Sequence, residues 1–157
     1  MTAPSPAAPT EVMFYHLDRQ TLDAALPLLV EKTLERGWRA VIQAGSDERV
    51  GALDALLWTY KPDNFVPHGT ANDGNPERQP IFLTATALNP NRADVRFLVD
   101  GASLDTYTGY RRIVVMFNGR DEHAVKDARD QWRRAKADGS NVTYWQQTAA
   151  GGWEKKA

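Results

Sequence analysis

Four cations recur along a late segment of the chain, Lys126, Arg129, Arg133 and Lys136, at intervals of three, four and three residues. Val125, Ala128, Trp132 and Ala135 follow the same intervals one residue earlier. On a helix advancing about 100° per residue the two series form adjacent stripes. A cationic stripe beside an apolar one suits an anionic ligand with an apolar end: the apolar group settles by Trp132 while carboxylates meet the guanidinium forks. The same pattern arises when one stripe of an amphipathic helix meets the core and the other meets water. Both readings stay open on pattern alone.

Catalytic chemistry finds little to work with. There is no cysteine, which removes thiol nucleophiles, disulfides and zinc–thiolate sites. The histidines are His16, His68 and His123. No two of them have the i, i+4 spacing of a helical metal site, and no acidic cluster accompanies them. His16 ends a run that reads as the first strand, where ligands bind in α/β sheets. The alternative from another class is therefore a small α/β enzyme or nucleotide-binding protein using strand-end residues near His16. A hydrogen-bonded boundary histidine accounts for the same residue. Asp94, Asp100, Asp105, Asp121 and Glu122 fall where turns and helix starts are expected. Asp121 and Glu122 suit a first helical turn, where acids favour the helix dipole. Neither a Gly-x-Ser-x-Gly elbow nor a phosphate loop ending in Gly-Lys-Ser/Thr occurs. The reading is of no catalytic residue, no metal site and no cofactor.

A second segment of interest runs from Leu57 to His68. Trp58 and Tyr60 close a helix, and Phe65-Val66-Pro67 follow in a stretch bounded by Pro62 and Pro67. Large apolar groups without periodicity have two readings: they cap the core beneath a loop, or they form an exposed aromatic patch of the kind that anchors a partner.

These residues need a scaffold, and the chain alternates strand and helix signals. Val12 to Leu17 is a β-rich run. Leu22, Ala25, Leu26, Leu29, Val30 and Leu34 recur at helical spacing, with Pro27 near the first turns and Gly37 as the stop. Trp38 to Ile42 is a second strand, and Ser46 is the N-cap of a helix reaching Trp58, with Val50, Leu53, Leu57 and Trp58 facing inward. Gly69 to Gln79 reads as a long polar surface loop. Strands follow at Pro80–Thr84, Val95–Val99 and Arg112–Phe117, then a helix from about Asp121 to Ala137 ending at Gly139, and a last strand from Val142 to Gln146. Such alternation predicts an α/β fold: a single Rossmann-like domain with a central, mostly parallel sheet flanked by helices. The first strand leads into His16-Leu17-Asp18-Arg19-Gln20 and not into the glycines of a dinucleotide fingerprint, so the fold carries no phosphate-binding loop. Residues 1–10, rich in Ala and Pro, read as a flexible tail without the features of a signal peptide. Residues 11–147 form the α/β domain and 148–157 a C-terminal extension, in which Trp153 packs back on the body.

The 157 residues carry a formal net charge of -1. A domain that held DNA by itself would carry an excess of Lys and Arg, so direct DNA binding is expected to be weak or indirect, with a local basic patch still open. A basic strip continuing beyond the late helix would favour a third reading, a single-strand binder that stacks bases on aromatics. No apolar run is long enough to cross a bilayer. Together with the missing cysteines, this fits a cytoplasmic protein without a membrane partner.

Phe14-Tyr15-His16-Leu17, Leu57-Trp58-Thr59-Tyr60, Phe65-Val66-Pro67-His68 and Ala128-Arg129-Asp130-Gln131-Trp132 resemble the chi subunit (HolC) family of bacterial DNA polymerase III. The resemblance covers about residues 11 to 147. A tryptophan followed seven residues later by Phe-Val-Pro-His is its most specific part. It implies a non-catalytic accessory subunit of the replicative polymerase, with a Rossmann-like fold. Such a subunit links the clamp loader to single-stranded-DNA-binding protein (SSB) by holding the acidic C-terminal tail of SSB. The resemblance places the family's tail-binding arginine at Arg129, its aromatic one turn later at Trp132 and a further basic position at Arg133, to which Lys126 and Lys136 of the same stripe are added. Another basic family position, four residues before the arginine, falls on Val125, with Lys126 next to it. The family's other site, for the psi subunit of the clamp loader or a helicase competing for that site, maps to Trp58 and Phe65, with Val66 and Pro67 alongside.

Overall fold

The β-branched and aromatic run after Thr10 forms strand β1 (Glu11–Leu17), which lies between two parallel neighbours. The computed structural model of the protein describes residues 9–60, 66–150 and 152–157. Among these, β1 is joined by β2 (Ala40–Gln43), β3 (Gly69–Thr70), β4 (Ile81–Thr84), β5 (Val95–Leu98), β6 (Arg112–Asn118), β7 (Asn141–Gln147) and β8 (Trp153–Lys155). They form an eight-stranded sheet in the order β3-β4-β2-β5-β6-β1-β7-β8. Each neighbouring pair is parallel except β7 and β8. The sequence-based expectation of an α/β domain around a mostly parallel sheet holds.

Three helices cover the two faces among the described residues. α1 (Leu22–Glu35) begins where the Thr21 side chain accepts the Ala24 N–H, and it ends before Gly37, whose φ is +76°. Pro27 lies buried in its second turn. α2 (Asp47–Thr59) begins where the Ser46 side chain accepts the Arg49 N–H. α3 (Glu122–Ala137) is capped by Asp121, which accepts the N–H groups of His123 and Ala124. Alternation along β1 sends Met13, Tyr15 and Leu17 toward α1 and α2, and Val12 and Phe14 toward α3. The larger core packs Leu26, Val30, Leu53 and Leu57 on Ile42, Leu83, Phe97 and Val114. The smaller one packs Ala128 and Ala135 on Ile113, Val115 and Phe117.

Two stretches differ from expectation. Gly69 to Gln79 is not one continuous loop: Gly69 and Thr70 pair with β4, and short 3₁₀ turns follow at Ala71–Asp73 and Pro76–Arg78. A two-residue strand has no periodicity to read, and the first turn is held by a reciprocal Thr70–Asp73 capping box. The stretch beyond Gln147 also rejoins the sheet, because β8 pairs antiparallel with β7 and sets Trp153 edge-on to Tyr15 at 4.6 Å.

Arg96 on β5 is fully buried without a carboxylate partner among the described residues. Its Nε and Nη2 donate to Gln43 Oε1 at 2.9 and 2.6 Å, Nη2 to Thr86 O at 2.6 Å, and Nη1 to Leu88 O and Tyr110 Oη at 2.9 and 3.1 Å. Burial lowers its pKa from the ordinary arginine value, against the opposing pull of Tyr110. The guanidinium ties the 86–88 loop to the sheet and satisfies its own donors in doing so. No helix among the described residues is long and apolar enough to cross a membrane.

Candidate functional site

The first candidate surface is built by α3. Small residues set its approach: Ala128 and Ala135, with Gln131, point into the sheet. Val125 and Trp132, expected in the same buried stripe, end at its margin, half-buried. Trp132 lies 5.4 Å from Phe14 and 6.3 Å from Tyr144 between ring centres, and the Lys136 ammonium sits 5.1 Å from the indole centre. Tyr144 continues the wall, with its hydroxyl hydrogen-bonded to His16 Nδ1. Phe117 closes it, 5.3 Å from the His16 ring and 6.2 Å from Tyr144. Gly119 leaves the space for His16, since a Cβ added there would overlap the imidazole.

Lys126, Arg129, Arg133 and Lys136 are all exposed on the same helix. Arg133 pairs with Asp130 at 3.3 Å, both well exposed, an arrangement worth little to stability. Among the described residues no carboxylate comes within ion-pair distance of Lys126, Arg129 or Lys136. Arg129 is electrostatically coupled to the wall. Burial raises the Tyr144 phenol pKa above its ordinary value, while the nearby Arg129 guanidinium pulls it down and Asp18 adds to the rise. The surface thus offers cations beside a dry aromatic margin, which can hold a carboxylate and an adjacent apolar group together.

The second candidate surface is at the end of α2. Trp58 is 54% exposed and Pro67 is exposed, whereas Val66 is buried in the main core. Phe65 lies outside the described residues. Val50, Leu53 and Leu57 face inward as expected but Trp58, expected with them, does not: the core-capping and surface readings divide between neighbours, with Val66 in the core and Trp58 at the surface. The Trp58 ring packs edge-on against His68 at 4.9 Å. His68 is buried, with Nδ1 2.6 Å from the Val66 carbonyl oxygen. Its Nε2 lies 3.0 Å from Asp54 Oδ1 but out of line for a hydrogen bond. His68 and Val66 thus form the base on which Trp58 stands.

The alternative centred on His16 meets a different geometry. A crevice of about 710 Å³ opens at the C-terminal ends of β1, β5 and β6, where α/β sheets bind ligands, but His16 is not among its walls. Asp18, Asp100, Asp121 and Asp127 face it, together with Arg19, Arg120 and His123. The N–H groups of Asp18, Arg19 and Gln20, after β1, all donate to Gln147 Oε1 at 3.2, 3.0 and 2.9 Å. The α3 N-terminus is already capped by the Asp121 carboxylate. Both positions that could cradle phosphate are filled by the protein's own oxygens, with carboxylates around them. Among the described residues no group of three or more His, Cys, Asp or Glu could hold a metal ion.

Sequence reasoning named the cations and Trp132 but not Phe117, Gly119 or Tyr144, and it gave His16 to the rival reading. The available signal was alternation: Val142 and Tyr144 share one face of β7, the face that meets α3.

The protein-family model for the DNA polymerase III chi subunit, HolC, matches residues 10–143. The protein named probable DNA polymerase III subunit chi of Rickettsia prowazekii (strain Madrid E) is 28% identical over 103 residues. That match spans 66% of this chain and 62% of the Rickettsia protein, less than two thirds of the latter's length. DNA polymerase III subunit chi of Escherichia coli (strain K12) is 26% identical over 137 residues, 82% of this chain and 92% of that protein. Both relatives are named as a subunit of a polymerase.

Proposed function

Because the chain belongs to the DNA polymerase III chi subunit (HolC) family, we propose that it is a non-catalytic docking subunit that links the clamp loader to SSB. The α3 surface holds the acidic C-terminal tail of SSB. A terminal carboxylate meets Arg129, the apolar end of the tail rests on Trp132, and Lys126, Arg133 and Lys136 attract the preceding acids. The observation that carries this reading is an exposed Arg129 without a carboxylate partner among the described residues, coupled to the Trp132–Tyr144–His16–Phe117 wall.

The second surface receives the psi subunit or a helicase competing for that site. Trp58 is its anchor, Phe65 and Pro67 extend it, and Val66 supports it from the core. Tryptophan is among the residue types that most often carry interface energy. The reading sets the protein's work in the cytoplasm, with direct DNA binding weak or indirect.

Titration with a synthetic acidic peptide ending in phenylalanine tests the central claim. Saturable binding that weakens with added salt and is lost with a peptide ending in alanine supports it. A protein that ignores the peptide at low salt does not have this function.

A further inference from the structure

A second crevice, of about 360 Å³, opens on the face of the sheet that carries α1. Its walls come from Lys32 of α1 and Arg36 at its C-cap, from Trp38 before β2, from Arg112 at the start of β6, and from Trp145 and Trp153 of β7 and β8. Tyr15 lies between the last two, stacked on Trp145 at 6.3 Å and edge-on to Trp153 at 4.6 Å. None of these residues belongs to either surface described above, and α3 packs on the other side of the sheet.

The charge pattern here is unusual for a chain with a net charge of -1. Three guanidinium groups gather on one indole: Arg36, Arg111 and Arg112 lie 5.2, 5.6 and 5.2 Å from the centre of Trp38. Lys32, one helical turn before Arg36, adds a fourth cation. Glu11 pairs with Arg112 at 3.5 Å and Asp94 with Arg111 at 3.3 Å. Among the described residues Arg36 and Lys32 have no carboxylate within ion-pair reach. Glu11 and Asp94 offset two of these charges, and an anion seated in the crevice would meet the two that remain, Lys32 and Arg36. The cations stand on two sides of the crevice, along α1 and at the start of β6, with half-buried indoles between them.

We propose that this crevice is a binding site for single-stranded nucleic acid. A base packs among the rings of Trp145 and Trp153, and successive phosphates are held by Lys32 and Arg36 on one side and Arg112 on the other. A polyanion with one charge per unit and a planar group on each unit matches spaced cations interleaved with aromatic faces. A single terminal carboxylate would use only one of the forks. The near-neutral charge of the whole chain limits the affinity to what this local patch supplies, so binding is weak and strongly salt-dependent. Because this site and the α3 surface lie on opposite faces, both can be occupied at once.

Fluorescence anisotropy of a labelled oligothymidylate of about 15 nucleotides, titrated with the full chain at about 50 mM salt, tests this. Saturable binding that quenches tryptophan emission and fades as salt rises is expected. Lys32→Glu and Arg36→Glu, both at exposed positions, should each weaken it by about tenfold, with unchanged circular-dichroism melts. Arg129→Ala should leave it untouched, which separates this site from the docking surface on α3. Failure to bind at low salt overturns the proposal. So does equal binding by the Arg36→Glu and Lys32→Glu proteins, or selective loss with Arg129→Ala. If an acidic peptide fills the crevice and the oligonucleotide does not, the site belongs to a protein partner and the nucleic-acid assignment is wrong.

Discussion

Gln147 holds Gln20 at two points: its Oε1 accepts the Gln20 backbone N–H at 2.9 Å, and its Nε2 donates to Gln20 Oε1 at 2.8 Å. The same Oε1 also takes the N–H groups of Asp18 and Arg19. A dinucleotide fold would turn such a row of N–H groups toward a phosphate. Here a neutral amide oxygen occupies them. Gln147→Ala should leave these donors without a protein partner and destabilise the fold by about 1 to 3 kcal/mol. It should not create affinity for ATP or NAD, because Asp18, Asp121 and Asp127 still face the crevice. A thermal melt checks the first outcome and calorimetry with each nucleotide checks the second.

Arg129→Ala should weaken acidic-peptide binding by about tenfold to a hundredfold. A charge-assisted pair is worth roughly 1.5 to 3 kcal/mol, and each 1.4 kcal/mol is about tenfold. Stability should barely change, since Arg129 is exposed and has no carboxylate to lose among the described residues. Rising salt should weaken the wild-type complex as the outer cations are screened. A normally folded Arg129→Ala protein that binds the peptide like wild type removes the site.

Trp58→Ala should reduce capture of the psi-type or helicase partner while leaving peptide affinity within about twofold, since sites without shared contacts are close to additive. The exposure of Trp58 keeps the folding cost small, although contact with His68 is lost. A pull-down run beside a circular-dichroism melt distinguishes a lost anchor from an unfolded chain, and unchanged capture by a folded variant counts against the surface.

Gly119→Ala forces the His16 ring out of its position, because the new methyl overlaps it. Overpacking of this kind costs about 1 to 3 kcal/mol. Its more specific effect is on the α3 surface: displacing His16 breaks the bond to Tyr144 and loosens the wall beneath Trp132. Peptide affinity should fall by about tenfold, a change worth about 1.4 kcal/mol, with no residue of α3 altered. Unchanged peptide affinity would mean that the wall does not shape the site.

Alkaline conditions should unfold the protein cooperatively. Burial raises the phenol pKa values of Tyr15, Tyr60, Tyr107 and Tyr144 above the ordinary value, with Glu31 adding to the rise at Tyr60. These groups keep their protons longer when folded than when unfolded. Their contribution is therefore fully present below the unfolded tyrosine pKa of about 10 and is lost as pH rises through the folded values. Melts collected from about pH 9 to pH 11 should show a falling midpoint, and an unchanged midpoint over that window counts against this coupling.

The scaffold was largely legible because its signals are local. Ser46 and Gly37 mark helix ends by chemistry that acts within one turn, and the runs of β1, β5 and β6 are apolar because both their faces are covered. The α3 cations were legible for the same reason, since all lie on one helix. The wall beside them was not. His16, Phe117 and Tyr144 come from three strands, and only the parallel register of β6, β1 and β7 makes them neighbours. Val66 was misleading in the opposite way: its neighbours Phe65 and Pro67 made it read as surface, but it belongs to the core. A short segment without periodicity does not reveal which of its apolar residues turn inward. Strand β8 escaped notice because its register is set by pairing with β7, not by its own three residues.

The two outer strands of the sheet are its shortest members, two residues in β3 and three in β8. Backbone bonds from Tyr144 to Lys156 and Ala157 carry the β8 pairing two residues further, and edges this short still leave few free backbone N–H and C=O groups to template a further strand. The proposed partners are then held by side chains and released by breaking side-chain contacts, without peeling apart a ladder of backbone bonds. The same short borders protect the protein from itself. Edges this short disfavour the extension of one copy's sheet by the next when molecules are crowded together.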